Sequence, residues 1–360
     1  MSPMNSDSSA NDPAYIVNDT WFGHANEDKA WTTIWRGYTK FHITAELARI
    51  QCTHFGKNLL RQIKLCKRRP FGSHGTFTEA LDMLHMHCLP LLERLAPRLS
   101  VPDLTLERFV HSPTYHLELV DAGSEGEVRI EGTDKCSYTP HLNISSMRTA
   151  DLPDSCNAIA RVQASGIRVV PDKADVGKGN SIHIIQGRVI TADGAVMYLK
   201  PRTFLREPEF DREVRILSRI EALDLRDRIR VPGFQSTVVS GENGETTVGF
   251  LMPFINSSEA GSHLLCKGLW GRSELHDKWE KQVTAIVEEL HAHDIVWGDV
   301  NPMNVVVDDA MDAWVIDFGG NNNVEFVDED KCETVEGDWQ GIRRLFREWL
   351  PARGKISEDR

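Results

Sequence analysis

The sequence predicts an α+β fold, in which a small antiparallel sheet with one helix precedes a mainly helical region. Two strand-like stretches, "SIHIIQGRVITADGAVMYLK" at 181–200 and "TTVGFLMPFI" at 246–255, are rich in apolar and β-branched residues. Between them, "EFDREVRILSRIEAL" at 209–223 has the apolar spacing of a helix, and a longer amphipathic stretch at 273–295 follows. A helix inserted among strands and a long helix after them together indicate the α+β class.

Composition and charge narrow the class of protein. Of 360 residues, 41% are hydrophobic and 26% are charged, which is usual for a globular chain of two domains or of one large domain with an extension. The net charge of −12 argues against a nucleic-acid partner and agrees with a cationic one, such as magnesium or a basic peptide. No apolar run is long enough for a membrane helix, so we expect no membrane partner.

The N-terminus and the cysteines bear on cellular location. The start, "MSPMNSDSSANDPAY", is polar and lacks the apolar core of a signal peptide, so residues 1–20 are expected to form a disordered tail. The 7 cysteines are scattered and include no C-x-x-C pair, which favours reduced thiols. We therefore expect an intracellular protein, in the cytoplasm or the nucleus.

Residues 21–150 are predicted to form an N-terminal helical region that includes a β-hairpin. Apolar residues recur at roughly helical spacing from 21 to about 100, most clearly in "ITAELARIQCTHFGKNLLRQIKL" and "TFTEALDMLHMHCLPLLERLAP". The pattern then changes, and "RFVHSPTYHLELV" and "GEVRIEG" flank "DAGSE" as two strands joined by a turn.

The stretch "WGDVNPMNVVVDDAMDAWVIDFGG" carries the clearest chemical signal. Its segments "NVVV" and "AWVI" are predicted to be short buried strands joined by the turn "DDAMD", so that Asp317 returns to lie beside Asn304. A carboxylate and an amide oxygen are suitable ligands for magnesium that bridges nucleotide phosphates. Asp299, on the preceding loop, is then free to accept a proton or to orient a nucleophile.

These residues resemble the protein-kinase family. "WGDVNPMN" resembles the kinase catalytic loop, and "DFG" at Asp317–Gly319 matches the kinase metal-binding motif. The tail "VIDFGGNNNVEFVDEDKCETVEGDWQGI" is similar, more narrowly, to kinase-like proteins of fungi. The resemblance covers about residues 180–350. It implies a bilobal protein-kinase-like fold, with an N-lobe at 165–255, a shortened C-lobe at 256–350, a tail at 351–360 and the helical region as an N-terminal extension.

The resemblance also implies ATP and Mg2+ as cofactors and a role for each site residue. Asp299 would act as the catalytic carboxylate, Lys200 paired with Glu213 would hold the nucleotide phosphates, and Asn304 and Asp317 would hold the metal. The remaining implied positions are Met252, Pro253 and Ile255 at the adenine hinge, Gly187 over the phosphates, and Asp338 as a brace of the catalytic loop.

Several positions depart from the kinase pattern. Trp297 and Gly298 replace the usual histidine and arginine of the loop, which removes the expected partner of an activating phosphate. Asn301 stands where most serine/threonine kinases have a lysine. The phosphate-covering glycine is Gly187, or else one of those in "GKGNSI" at 177–182, and we favour Gly187 because its flanks have strand patterns.

Two classes of function agree with these residues. The first is an ATP- and Mg-dependent phosphotransferase that acts on a protein hydroxyl or a small-molecule hydroxyl. The second is a pseudokinase that binds a nucleotide or serves as a scaffold. A partner protein would bind through the N-terminal helices or through the C-terminal helix, where Trp339, Phe346 and Trp349 form a candidate contact surface.

Overall fold

The structure is a computed structural model of the chain. It describes residues 15–22, 29–36, 39–67, 75–96, 105–123, 128–131, 135–136, 144–169, 181–183, 187–203, 206–320 and 323–358. The chain divides into two compact units. The first consists of Met1–Ile144 with Gln163–Ala195, and the second consists of Ser145–Val162 with Val196–Arg360.

The strands, in chain order, are Tyr15–Phe22 (β1), Lys29–Arg36 (β2), Thr39–Glu46 (β3), Thr114–Asp121 (β4), Val128–Glu131 (β5), Lys135–Cys136 (β6), Met147–Arg148 (β7), Ala160–Gln163 (β8), Arg168–Val169 (β9), Ser181–His183 (β10), Gly187–Ile190 (β11), Val196–Pro201 (β12), Ser236–Ser240 (β13), Thr246–Pro253 (β14), Val305–Val307 (β15) and Ala313–Val315 (β16).

The α-helices are Leu47–Ile50 (α1), His54–Lys67 (α2), Gly75–Leu95 (α3), Leu106–Val110 (α4), Glu207–Ala222 (α5), Lys267–Trp270 (α6), Ser273–Ala292 (α7), Val335–Arg343 (α8) and Leu350–Glu358 (α9). A π-helical segment, Arg344–Trp349, joins α8 to α9. None of the described helices is both long and apolar enough to cross a membrane.

The first unit is a sheet with helices packed on one face. Its strand order is β10-β1-β2-β3-β4-β5, with β6 paired to β4, and β9 pairs with β11. β3 and β4 pair in parallel. Every second residue of β3 faces the helices, and these residues, Phe41, Ile43 and Ala45, are fully buried. They share a core with α1, α2 and α3, which bury Leu59, Leu84 and other apolar residues against the same face. The apolar residues that alternate along the strands and those that recur at helical spacing along the helices therefore form one apolar layer.

The prediction of helix from residue 21 to about 100 is wrong for 29–36 and 39–46, which form β2 and β3. Ile43 and Leu47 lie four residues apart, a spacing that both a helix and a strand place on one face. The predicted disordered tail is also wrong for 15–20, which belong to β1, and residues 1–14 lie outside the described ranges. The hairpin between 108 and 131 is confirmed, since β4 and β5 pair in antiparallel.

The second unit is α+β, as the sequence predicts. Its sheet has the order β8-β13-β14-β12, with β7 paired to β14, and β15 and β16 form a separate two-stranded ribbon. The helices predicted at 209–223 and 273–295 are present as α5 and α7. The predicted lobes at 165–255 and 256–350 stay predictions, and α9 covers most of the predicted tail at 351–360.

The C-terminal aromatic residues lie mainly inside the second unit. Phe346 is 3% exposed, so the prediction that its ring belongs to a partner surface is wrong. Trp349 contacts the rings of Trp270 and Phe326, with centroids 6.1 Å apart in both pairs, and Trp339 lies against the ring of His291. A partner that binds through the C-terminal helix stays a prediction.

Candidate active site

Lys200 is placed by the antiparallel pairing of β12 with β14, in which it lies opposite Phe250. Its ammonium group forms an ion pair with Glu213 and lies 2.7 Å from Oδ1 of Asp317. The lysine side chain is 16% exposed, so both ion pairs form largely away from water. One cation therefore joins two carboxylates that come from a helix and from the segment after the β15–β16 ribbon.

Glu213 lies on the apolar face of α5. The buried residues of this helix include Phe210, Val214 and Leu217, and their spacing places Glu213 on the same side. A buried carboxylate needs partners, because the loss of water otherwise opposes its charge. Besides Lys200, its Oε1 accepts a hydrogen bond of 3.4 Å from the N–H of Phe318, so α5 is connected to the "DFG" segment.

The β15–β16 ribbon brings Asp317 back toward the loop of Asp299, as predicted. The N–H of Ile316 donates to the carbonyl of Asn304 over 3.0 Å, which continues the pairing of Val305 with Val315 by one step. Asp317 itself has a φ of 61°, in the left-handed region that non-glycine residues rarely adopt. Backbone strain of this kind is concentrated at functional sites.

Asp299 is held by two amides of its own loop. Asn304 donates from Nδ2 to Oδ2 of Asp299 at 2.8 Å and to its carbonyl at 3.0 Å. Asn301 donates from Nδ2 to Oδ1 at 3.0 Å, while its own Oδ1 accepts from the N–H of Met303. Each oxygen of the Asp299 carboxylate thus has one fixed donor, and the loop is ordered around it.

Asp338 holds the same loop from α8. It is 1% exposed, and it accepts from the N–H of Trp297 at 2.9 Å and from the N–H of Gly298 at 2.8 Å. His291 lies 2.8 Å from the same carboxylate. Thr334 caps α8 by accepting a 3.0 Å hydrogen bond from the N–H of Gly337.

Burial and neighbouring charges shift the pKa values of the site in different directions. Burial, followed by the charge of Asp317, raises the pKa of Asp299 to about 6, against the hydrogen bonds from the two asparagines. Burial likewise raises the pKa of Glu213 to about 7 despite the opposing charge of Lys200.

Asp317 and Lys200 shift toward their charged forms. Burial works against both charges, but Lys200 holds the pKa of Asp317 below its usual value. Glu213 and Asp317 raise the pKa of Lys200 above its usual value, again against burial. The site therefore combines a cation and a carboxylate that each favour the charged form with Asp299, a carboxylate basic enough to accept a proton.

The oxygens of Asn304 and Asp317 fit a magnesium ion. The amide nitrogen of Asn304 is committed to Asp299, which turns the amide oxygen away from that carboxylate. The contacts of Asp317 with Lys200 and with the N–H of Gly319 both use Oδ1. Within the described ranges no group of three or more His, Cys, Asp or Glu residues could hold a metal, so phosphates and water would have to supply the other ligands.

The other predicted positions are placed as follows. Met252 is buried near the end of β14, Pro253 is the last residue of that strand and is exposed, and Ile255 is half-buried just after it. Gly187 begins β11 with a φ of 145° and belongs to the first unit. Its role, and those of the three hinge residues, stay predictions. Residues 177–180 of the alternative glycine segment lie outside the described ranges.

Arg212 is a residue of the site that no sequence pattern predicted. It directly precedes Glu213, and its guanidinium donates to the carbonyls of Val296, Trp297 and Phe318. An arginine on an exposed helical pattern gives no sign of such contacts. The sequence signal for these contacts is the pair of glycines near Arg212, Gly298 and Gly320, both of which have left-handed backbone. Glycines in such positions often allow another group to approach the backbone closely.

Comparison with known proteins gives one partial match. No family model matches the chain. The chain is similar to a 3-deoxy-D-manno-octulosonic acid kinase of Photobacterium damsela subsp. piscicida, with 30% identity over 91 residues. The match covers 24% of this chain and 33% of that kinase, so the chain spans about a third of the length of this curated relative. It supports a similarity to a kinase, and it does not support the narrower resemblance to fungal proteins.

Proposed function

We propose that the second unit is an ATP- and magnesium-dependent phosphotransferase. The observation that carries the proposal is the position of Lys200, whose ammonium joins Glu213 to Asp317 in the unit that also holds Asp299 and Asn304. Phosphoryl transfer needs little covalent chemistry from the protein, so its requirements are fixed charges and a positioned nucleophile. The partial similarity to a kinase supports the same class.

Each side chain would have a defined task. Lys200 would hold an oxygen of the nucleotide phosphates, and Asn304 and Asp317 would hold magnesium, which neutralises phosphate charge when it is bound. Asp299, ionised above its pKa of about 6, would accept the proton of the acceptor hydroxyl at one of its carboxylate oxygens. The asparagines that fix both of these oxygens would keep the carboxylate aligned.

The acceptor is a hydroxyl of a protein or of a small molecule. The relative is named as a kinase of an acidic sugar, which favours a small-molecule hydroxyl as the first class to test. Asn301 also favours a small-molecule acceptor over a protein acceptor. Its amide is used within the loop, and it stands where most serine/threonine kinases have a lysine.

Thermal unfolding of the purified full chain tests the nucleotide–metal site. ATP with magnesium at roughly 100 times its dissociation constant should stabilise the protein by about 2.7 kcal/mol. Asp317→Asn should lose the magnesium-dependent part of this gain. The control is Asp309→Asn, which removes an equal charge from the exposed β15–β16 turn. An unchanged melting temperature at millimolar ATP and magnesium would contradict the proposal.

A pseudokinase is the second candidate, and Asn301 is the observation that favours it, because electrostatic stabilisation supplies much of this chemistry. Turnover separates the two functions. ADP release in the presence of acceptors should fall by roughly 100-fold or more in Asp299→Asn, the usual scale for loss of a catalytic base. Nucleotide binding in both proteins, with equal and negligible ADP release, would instead identify a nucleotide-binding pseudokinase.

A further inference from the structure

Arg212 connects α5 to both segments that carry the site. From Nη1 it donates to the carbonyl of Trp297 at 3.1 Å and to the carbonyl of Phe318, and from Nη2 to that of Val296 at 3.2 Å. Two of these carbonyls lie just before Asp299, and the third directly follows Asp317. The planar guanidinium presents several donors in a fixed geometry, so one side chain sets three backbone groups at once.

Two glycines make room for this side chain. Gly298 has a φ of 82°, and a Cβ atom there would come within 2.6 Å of Nη2 of Arg212. Gly320 has a φ of 76°, and a Cβ atom there would come within 2.3 Å of Oε1 of Glu333 and within 3.3 Å of Cδ of Arg212. Both glycines are favoured by the left-handed backbone, Gly298 also by the close approach of Arg212 and Gly320 by that of the Arg212–Glu333 pair.

The fourth partner of Arg212 is the carboxylate of Glu333, whose Oε2 lies 3.5 Å from Nε. Glu333 precedes α8, in the segment that follows the "DFG" motif, and it has a φ of 53°. The arginine is 17% exposed, while the glutamate is 47% exposed and lies at the edge of the cluster. A negative charge from this segment is thus already paired with the cation of α5.

We propose that Arg212 is a positioning residue, which fixes α5 against the segments of Asp299 and Asp317, and that Glu333 supplies the negative charge that a phosphate would otherwise add. The site is then held together without phosphorylation. The consequence for activity rests on the proposed phosphotransferase function, but the positioning itself does not. Gly298, which occupies the place of the usual loop arginine, is part of this arrangement because it leaves space for Arg212.

Hydrogen exchange of the full chain tests the positioning without any ligand. Arg212→Gln should speed exchange of the amides of Phe318 and Gly319 by about tenfold or more, the scale of a lost hydrogen bond to a charged group. Amides of α7 should exchange as before. The control is Arg215→Gln, which removes an exposed arginine from the same helix.

Nucleotide affinity tests the consequence for the site. Arg212→Gln should weaken ATP binding about tenfold when magnesium is present and leave the magnesium-free affinity unchanged, since Asp317 carries the metal. Arg212→Lys should recover part of both effects, because an ammonium donates to fewer carbonyls. Glu333→Gln should weaken binding by about threefold at most, as expected for a partly exposed ion pair.

Unchanged exchange at Phe318 and Gly319 in Arg212→Gln would overturn the proposal. If Arg212→Gln does not fold, amide exchange at Phe318 and Gly319 in Arg212→Lys tests the proposal in the same way. A wild-type chain that shows no response to ATP and magnesium would overturn the proposed function, while the exchange data would still decide the positioning role. The role of Glu333 would be overturned if the chain, shown by its mass to carry no phosphate, responded to ATP and magnesium only after it was phosphorylated.

Discussion

The two units differ in what they bury. The described core of the first unit is formed mainly by apolar side chains between a sheet and its helices, with Lys40 as a charged exception. The second unit buries Glu213 and Asp338 to 1% exposure, and Asn304 to 7%. Because burial of a carboxylate is costly unless it is paired, groups of this kind mark candidate functional sites. The contrast indicates that the described core of the first unit is held by apolar packing, whereas the second combines packing with a charged site.

The largest expected change in the free energy of unfolding comes from a substitution in the apolar core of the first unit. Phe41 is fully buried and stacks on Tyr115, with ring centroids 5.5 Å apart. Phe41→Ala should lower the free energy of unfolding by about 3–5 kcal/mol, because it removes buried area and leaves a cavity.

Calorimetry of the full chain, with and without ATP and magnesium, measures this effect and sharpens the comparison. The nucleotide-dependent gain, which we assign to the second unit, should persist in Phe41→Ala. Loss of that gain together with the stability would show that the two units do not act separately.

An intermediate effect is expected from the charged site when pH changes. Since folding raises the pKa of Asp299 to about 6 from 3.8, the folded chain binds this proton more tightly than the unfolded chain. The free energy of unfolding should therefore fall as pH rises from about 4 to about 6, by about 2 kcal/mol from this residue.

Denaturant unfolding of the metal-free chain across this pH range measures that contribution. Glu213 acts in the same direction, so the comparison is made between the wild type and Asp299→Asn, which should lose the Asp299 part of the fall. Asp309→Asn controls for the change in net charge. Identical pH profiles of wild type and Asp299→Asn would show that the burial of this carboxylate carries no free-energy cost.

The smallest effect is expected at the surface of the first unit. Arg49 forms an ion pair with Glu118, but the two side chains are 50% and 37% exposed. Arg49→Ala should change the free energy of unfolding by less than about 1 kcal/mol, because water screens exposed pairs. A loss several times larger, measured by denaturant unfolding, would mean that charges matter to the first unit as well.

The sequence by itself predicted the parts of the site that depend on local pattern. The short apolar runs beside Asn304 and Asp317 are strands, and the turn between them returns the chain as expected, because a short continuous apolar run bounded by turn residues is a local signal. The helix that carries Glu213 was predictable for the same reason, since its apolar residues recur at helical spacing. The β-strands at 29–36 and 39–46 were missed, because some apolar spacings suit both a strand and a helix.

Only the tertiary structure decided which of these groups meet. The pairing of Lys200 with Glu213 was implied by the family resemblance, but no local pattern records that the same ammonium also reaches Asp317, which lies 117 residues away. The same is true of Arg212, whose neighbours come from three separate stretches of chain. Periodicity reports the face on which a side chain lies. Packing of distant segments determines its burial and its partners. Burial and the charge of Asp317 raise the pKa of Asp299, and Lys200 lowers the pKa of Asp317 against burial.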